Sequence, residues 1–415
     1  MQDLTINAIG AQGDGLARFA DGKPAFVPLT LPGETVRANM DGARGEVVEI
    51  LSASADRVAP PCKHFGHCGG CALQHWAAEP YRGWKAEQVR LQLSMEGLET
   101  EILPTFAAPP ASRRRVALHA RKGGRGQGAR LGFKERRSWN LVPIEACPVT
   151  DPRLVAALPA LARLAEPFLE HPKSAPTLHV TLTGTGLDID ITGVERKSGG
   201  LSADARMRAA MAAGEGDFAR VTLAGEIVYG ARQPLVKLGP AVVALPPGSF
   251  LQAVSAAERA MVDFAVAESQ GASRIADLYC GVGTFTFRLA EVGAVHAAEM
   301  SPPAIAALKA AIGATPGLKP INAEARDLVK RPVLSTELAK TDVVVIDPPR
   351  AGAAEQTVEI AKSKVAKVVS VSCNPATFAK DARALVDAGF RLEKVLPVDQ
   401  FVWSPHIELV GVFSR

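Results

Sequence analysis

DLYCGVGTF, residues 277–285, begins as an apolar run, turns on Gly281 and Gly283, and leads into a second apolar run, TFTFRLAEV. These residue types read as strand, glycine turn, helix. The glycines let backbone approach a ligand closely, and the following helix offers its N-terminal amides. From about Ser273 the same unit recurs. HAAEM ends a strand, PPAIAALKAAIG is a helix opened by prolines, and DVVVIDPP and KVVSVSC are apolar strands. ATFAKDARALVDAG is a helix closed by Gly389, and RLEKVLPVDQF and HIELVGVFSR read as two last strands. Alternation of this kind implies an α/β fold with a parallel, doubly wound sheet. Ligands of such sheets bind beyond the C-terminal ends of the strands. Asp277, Glu299 and Asp347 fall there.

Working outward, residues 1–57 read as short strands with turns at Gly13-Asp14-Gly15, Asp21-Gly22 and Pro32-Gly33, the pattern of a small OB-like β-barrel. Residues 58–250 hold a cysteine cluster, a basic stretch and the strands TLHVTLTG, LDIDITGV and EIVYG, a central α+β domain. Residues 251–415 form the third domain. The chain of 415 residues is long enough for three cores, and 47% hydrophobic with 22% charged residues suits a folded soluble protein. No membrane segment is expected. The nearest candidate, Leu154 to Leu169, carries Arg163, Glu166 and two prolines. MQDLTINAIGAQGDG lacks a basic and then apolar leader, so the expected compartment is the cytoplasm, where thiols stay reduced.

The net charge of +4 is modest, but its distribution is not. Arg113, Arg114, Arg115, Arg121, Lys122, Arg125, Arg130, Lys134, Arg136 and Arg137 lie between Ser112 and Trp139, opposed only by Glu135. Such a stretch attracts a polyanion or forms a solvated face.

The Gly-x-Gly turn is shared with dinucleotide sites, yet Thr284-Phe285 stand where a further glycine is needed. The acidic form instead looks like the first motif of class I methyltransferases. Their cofactor, S-adenosylmethionine, carries no phosphate and has an ammonium group, which suits Asp277. Glu299 is placed to accept from both ribose hydroxyls. Two further segments follow strands: DPPRAG at 347–352 and SCNP at 372–375. A lone cysteine such as Cys373 is more often packing. Beside a cofactor crevice and before a helix N-terminus, a stabilised thiolate is expected.

Together with Phe250-Leu251-Gln252, the run from Asp399 to Glu408 and a TRAM-like segment at 1–60, these motifs resemble the RNA uracil-5 methyltransferase family. The resemblance implies Cys373 as nucleophile and Glu408 as general base. It implies Gln252, Tyr279, Glu299 and Asp347 as contacts of S-adenosylmethionine. The chemistry needs such groups, since carbon 5 of uracil is a poor nucleophile until a thiolate adds at carbon 6. Two departures stand out: Ala253-Val254 replace a Val-Asn pair, and Phe401-Val402-Trp403 replace a Phe-Pro segment. Cys280 reads as packing and His406 as structural.

Cys62, Cys68, Cys71 and Cys147 have spacings that admit an iron–sulfur cluster or zinc, with His64, His67 and His75 nearby. They are similar to the iron–sulfur subgroup of the same family, which implies a 4Fe-4S cluster. The implied partner is RNA, ribosomal in preference to transfer RNA, and a monomer is the default. Phe285, Phe401 and Trp403 are either base-stacking or core residues. A 5-methylcytosine enzyme and a non-catalytic iron–sulfur RNA-binding protein are the alternatives.

Overall fold

The computed structural model describes residues 1–124, 126–195 and 200–415. Its largest sheet has the order Ile321–Ala325, Ala294–Glu299, Arg274–Leu278, Val343–Ile346, Lys367–Ser372, Glu408–Ser414, Arg391–Asp399. The first five strands are parallel. Val343–Ile346 is buried throughout, because helices cover both faces and the strand can stay apolar at every position.

The last two strands depart from the parallel expectation. Glu408–Ser414 runs antiparallel to Lys367–Ser372, and Arg391–Asp399 antiparallel to Glu408–Ser414. A parallel return needs a crossover of about a dozen residues or more, and the loop 400–407 is too short for one. The helix expected from TFTFRLAEV shrinks to Thr286–Leu289. Val292 N–H closes on Leu289 O, and Ala294 already pairs with Arg274. Helices Pro302–Ala314 and Pro375–Asp387 start where their sequences direct. Ser301 accepts from Ala304 N–H and Asn374 from Ala376 N–H, each with proline in the first turn.

Chain from well before residue 251 also belongs to this sheet. Glu101–Ile102 and Phe106–Ala107 pair parallel with Arg391–Asp399. Helix Ala78–Met95 buries Val89 and Leu93 against Phe378 and Leu392. The hairpin Leu235–Leu238 and Ala241–Ala244 packs into the core on the other face.

The middle of the chain forms a seven-stranded sheet from Leu141–Pro143 to Glu226–Gly230, with a core of its own. Leu154 to Leu169 is not one helix. It breaks into Pro152–Ala156, Leu158–Ala165 and a last turn at Glu166–Leu169, each with proline in its first turn. Among the described residues no helix is long and apolar enough to cross a membrane.

The N-terminal strands form a six-stranded sheet around Leu4, Ile6, Ala17, Ala25, Val27, Val36 and Ala38. Ile9, Leu31, Ala72, Leu73, Trp76, Tyr81 and Trp84 join it to the rest as a separate buried cluster. Trp84 Nε1 donates to Ile9 O at 3.0 Å. Burial of each such large side chain is worth about 1.5–3 kcal/mol, enough to hold the N-terminal sheet firmly in place.

Candidate active site and cysteine cavity

Tyr279, Glu299, Asp347 and Cys373 stand at consecutive C-terminal strand ends, and Glu408 begins the antiparallel strand that returns to the same edge. All five line one cavity of about 800 Å³, together with Gln252, Phe250, Arg350, Phe401 and His406. Tyr279 has φ 61°, a left-handed conformation that costs a non-glycine residue strain and turns the chain sharply off its strand. Gly283, at φ 102°, is needed for packing: a Cβ there would lie 2.6 Å from Phe287 and 2.7 Å from Leu308.

Backbone amides fix the cofactor-facing acid. Glu299 accepts from Ser301 N–H at 2.9 Å and from Gly281 N–H at 3.2 Å, leaving lone pairs for a diol. Asp277 lies fully buried behind the loop. Burial, with Asp347 and Glu299 nearby, pushes its carboxyl up to about 7, against the hydrogen bond from Thr286. Asp277 Oδ1 and the Tyr279 hydroxyl are buried without hydrogen-bond partners. Orphaned buried groups of this kind call for a partner. A cationic ligand with a ribose, which S-adenosylmethionine is, fits these donors and acceptors.

The two groups meant for chemistry are held in their neutral forms. Burial pushes the Glu408 carboxyl up to about 8, reinforced by Asp347. Burial, then Glu408 and Asp347, push the Cys373 thiol up to about 11, with Arg350 opposing. Burial is the largest of these influences, and it opposes the thiolate that the helix N-terminus favours. The loops themselves are tied together, since Asn374 Nδ2 donates to Arg350 O at 3.2 Å.

Sequence reading missed the network that aims these groups. Val254 N–H donates to Gln400 Oε1 at 3.1 Å, Gln400 Nε2 to Gln252 Oε1 at 2.9 Å, and Gln252 Nε2 reaches Asp347 Oδ2 at 3.4 Å. Gln400 also hydrogen-bonds Glu408. Behind it lies a buried ion pair: Lys85 Nζ, from helix Ala78–Met95, is 2.9 Å from Asp399 Oδ1, both side chains at 0% exposure. Lys85 also donates to His406 O, and Tyr81 OH to Asp399 Oδ2 at 2.7 Å. The loop between Asp399 and Glu408 is thus pinned at both ends.

Cys62, Cys68, Cys71 and Cys147 line a second cavity of about 210 Å³, with Arg113, Phe401 and Ser404. All four are free thiols. Burial pushes Cys71 up to about 12 and raises Cys68. Among the described residues no three His, Cys, Asp or Glu side chains converge as ligands of one ion. Four thiols around one void could hold either an iron–sulfur cluster or a zinc ion. His75 is buried and stacked near Phe65, away from the four thiols' cavity. The two cavities share Phe401 in their walls, and in the same loop Trp403 O accepts from Ala72 and Leu73 N–H, at 2.8 and 3.0 Å.

Much of the basic stretch faces inward, which corrects its reading as one RNA-facing patch. Arg113 sits over the Phe401 ring at 5.2 Å, Arg114 pairs with buried Glu258 at 2.6 Å, and Arg115 covers Phe250 at 5.1 Å. Lys122, Arg130 and Arg137 remain exposed, and Arg125 lies outside the described residues. Phe285 and Cys280 are core residues, at 1% and 3% exposure.

A sheet of this order, with a glycine turn and acidic strand ends around one crevice, defines a class I methyltransferase dependent on S-adenosylmethionine. Residues 242–415 match the family described as tRNA (Uracil-5-)-methyltransferase. An uncharacterized RNA methyltransferase of Caulobacter vibrioides is 89% identical over the full length of both chains. The 23S rRNA (uracil(1939)-C(5))-methyltransferase RlmD of Halomonas elongata is 35% identical, covering 98% of this chain and 88% of its own. The Pyrococcus abyssi tRNA (uracil-54, C5)-methyltransferase, solved with S-adenosyl-L-homocysteine, shares the fold at TM-score 0.71 and 22% identity, covering 99% of this chain and 100% of its own. The chain belongs to this family and is an RNA (uracil-5-)-methyltransferase. That sets aside the 5-methylcytosine and non-catalytic alternatives.

Proposed function

We propose that the enzyme methylates carbon 5 of a uridine in large-subunit ribosomal RNA, as a monomer in the cytoplasm, through a transient Cys373 adduct. The observation that carries the mechanism is the shared cavity: Cys373 and Glu408 face it beside Gln252, Tyr279, Glu299 and Asp347. S-adenosylmethionine bound there supplies the electrophilic methyl group. Glu299 would take the ribose, while Gln252, Tyr279 and Asp347 would fix the rest. Burial is the main influence that raises the Cys373 thiol, and a cation beside Asp347 would offset the part that comes from nearby negative charge.

Cys373 would lose its thiol proton to solvent and bond through sulfur to carbon 6, and the displaced ring electrons make carbon 5 nucleophilic. Carbon 5 would take the methyl group, the bonding pair staying on the sulfur of S-adenosylhomocysteine, which leaves. Glu408 removes the proton left on carbon 5, the carbon–sulfur bond breaks, and the ring double bond returns with Cys373 freed. The neutral bias of Glu408 suits a group that must hold this proton briefly before losing it to solvent.

Ribosomal RNA is favoured because the Halomonas relative, named for a 23S uridine, aligns over nearly the whole chain. Cys62, Cys68, Cys71 and Cys147 would carry a structural 4Fe-4S cluster, and the N-terminal sheet would serve as a TRAM-type RNA contact.

Two experiments test this. Mass-spectrometric mapping in a deletion strain should lose 5-methyluridine at a 23S position; loss confined to transfer RNA would overturn the ribosomal target. With 5-fluorouridine-substituted RNA, carbon 5 carries no removable proton, so RNA should stay bonded to the Cys373 peptide. Full turnover with no adduct would sink the covalent route.

A further inference from the structure

Trp139 is the most exposed aromatic side chain of the exposed large hydrophobics, at 78%, on the turn between strands Ala129–Lys134 and Leu141–Pro143. Lys134 Nζ lies 3.8 Å from the ring centroid, covering one face and leaving the rest of the indole to solvent. The same turn is bolted to the N-terminal sheet by charge. Buried Asp14 meets Arg136 at 2.7 Å, Arg137 at 2.9 Å and Arg44 at 3.1 Å. Among the described residues, the acid paired with Arg44, Arg136 and Arg137 is Asp14, while Glu135, next to Lys134, accepts from Asn140. Two positive charges are left over. A purely structural joint would balance its charges and would not hold an indole in water.

We propose that this turn is a second RNA contact, in which a base of a single-stranded segment stacks on Trp139 while neighbouring phosphates meet Arg44, Arg136 and Arg137. Aromatic rings set among guanidinium groups bind single strands in this way. The surface is continuous with the catalytic loop. Gly69 N–H donates to Lys134 O at 2.9 Å, and Ala72 and Leu73 N–H donate to Trp403 O. Three peptide units span at most about 11 Å, so the base of the turn and Trp403 are at most roughly 20 Å apart. An RNA strand whose uridine lies against Cys373 can reach Trp139 within a few nucleotides. The proposal rests on RNA being the substrate and adds where the flanking strand is held.

The test uses the full-length enzyme and a labelled 20-nucleotide RNA of mixed sequence, with tryptophan emission and anisotropy read together. Trp139→Ala should weaken binding about tenfold, since stacking is worth about 1–3 kcal/mol per base, with the salt slope unchanged. Trp139→Phe should keep most of the affinity but lose the RNA-induced quenching. Arg44→Gln should weaken binding and lower the salt slope by about one. On ribosomal RNA from a deletion strain, Trp139→Ala should raise KM about tenfold at constant kcat. If both Trp139 variants match the wild type in affinity, quenching and KM while methyl transfer proceeds, the contact is wrong and the proposed function stands. If the wild type methylates no RNA, the proposed function falls, while the quenching result still decides the contact.

Discussion

The catalytic cavity and the cysteine cavity share Phe401 and the loop around it, yet they are built differently. The first takes its residues from strand ends, held by the ladder of a continuous sheet whether or not a ligand is present. The second is assembled from loops around 62–74 and 146–150, with thiols that burial drives to their neutral forms. A group bound by all four sulfurs would tie those loops together. Changes in the first cavity should therefore strike chemistry and spare stability, and changes in the second should do the reverse.

The strongest test is Cys373→Ala. Methyl transfer and adduct should vanish, with urea stability within about 1 kcal/mol of wild type, as for a half-buried side chain outside the core. Next is Glu408→Gln, where kcat should fall about 10²- to 10⁴-fold and RNA-bound protein should build up on denaturing gels. Rapid release at full rate would remove Glu408 from the base role. Lys85→Met breaks the division on purpose. It leaves the buried Asp399 charge without its counter-ion, with only the Tyr81 hydroxyl still donating to it, and should cost about 3–5 kcal/mol by urea unfolding. Adding Asp399→Leu should restore much of that stability but not activity, because the Glu408 loop loses its anchor.

The pH profile sharpens the contrast further. Glu408 acts only when deprotonated, and its carboxyl stands near 8, so kcat/KM should climb from pH 7 to 9. The Cys373 thiol, near 11, adds to the rise, and saturating S-adenosylmethionine should move the climb to lower pH by favouring the carboxylate. A flat profile from pH 6 to 9 would contradict these environments. The smallest effect expected is that of Cys71→Ser on cofactor affinity, below about threefold. Hydrogen exchange should meanwhile quicken at the Ala72 and Leu73 amides, as their hydrogen bonds to Trp403 O loosen. Equal loss of cofactor affinity would show that the cavities are not separable.

What could be read in advance was local. DLYCGVGTF, DPPRAG and SCNP each carry strand and turn within a few positions, so the parallel core and its strand ends follow from pattern, while the roles of Gln252, Tyr279 and Glu408 rest on the family resemblance. The rest depends on partners far apart in sequence. Nothing near Lys85 announces Asp399, and a buried lysine on a helix looks like any surface lysine until the chain has folded. Gln400 was passed over because its role exists only through Gln252 and Glu408. The upward push on the Cys373 thiol is not legible in sequence, because the burial that causes it, with Glu408 and Asp347 beside it, arises only on folding, whereas the helix end can be read directly. The basic stretch misled for the same reason: Phe401, Glu258 and Phe250 claim Arg113, Arg114 and Arg115 from other segments.

Trp403 sits at φ 62°, a conformation costly for an indole-bearing residue, with its carbonyl turned to receive two amides from the cysteine loop. The stretch from 242 onward that defines the family thus leaves its own sheet edge, its lysine counter-ion and this carbonyl to be completed by earlier chain. Transplanting that stretch alone into another scaffold would carry the reactive side chains but not the grip that aims them. Residues 72–108 belong with the catalytic half as a cuff belongs with the hand.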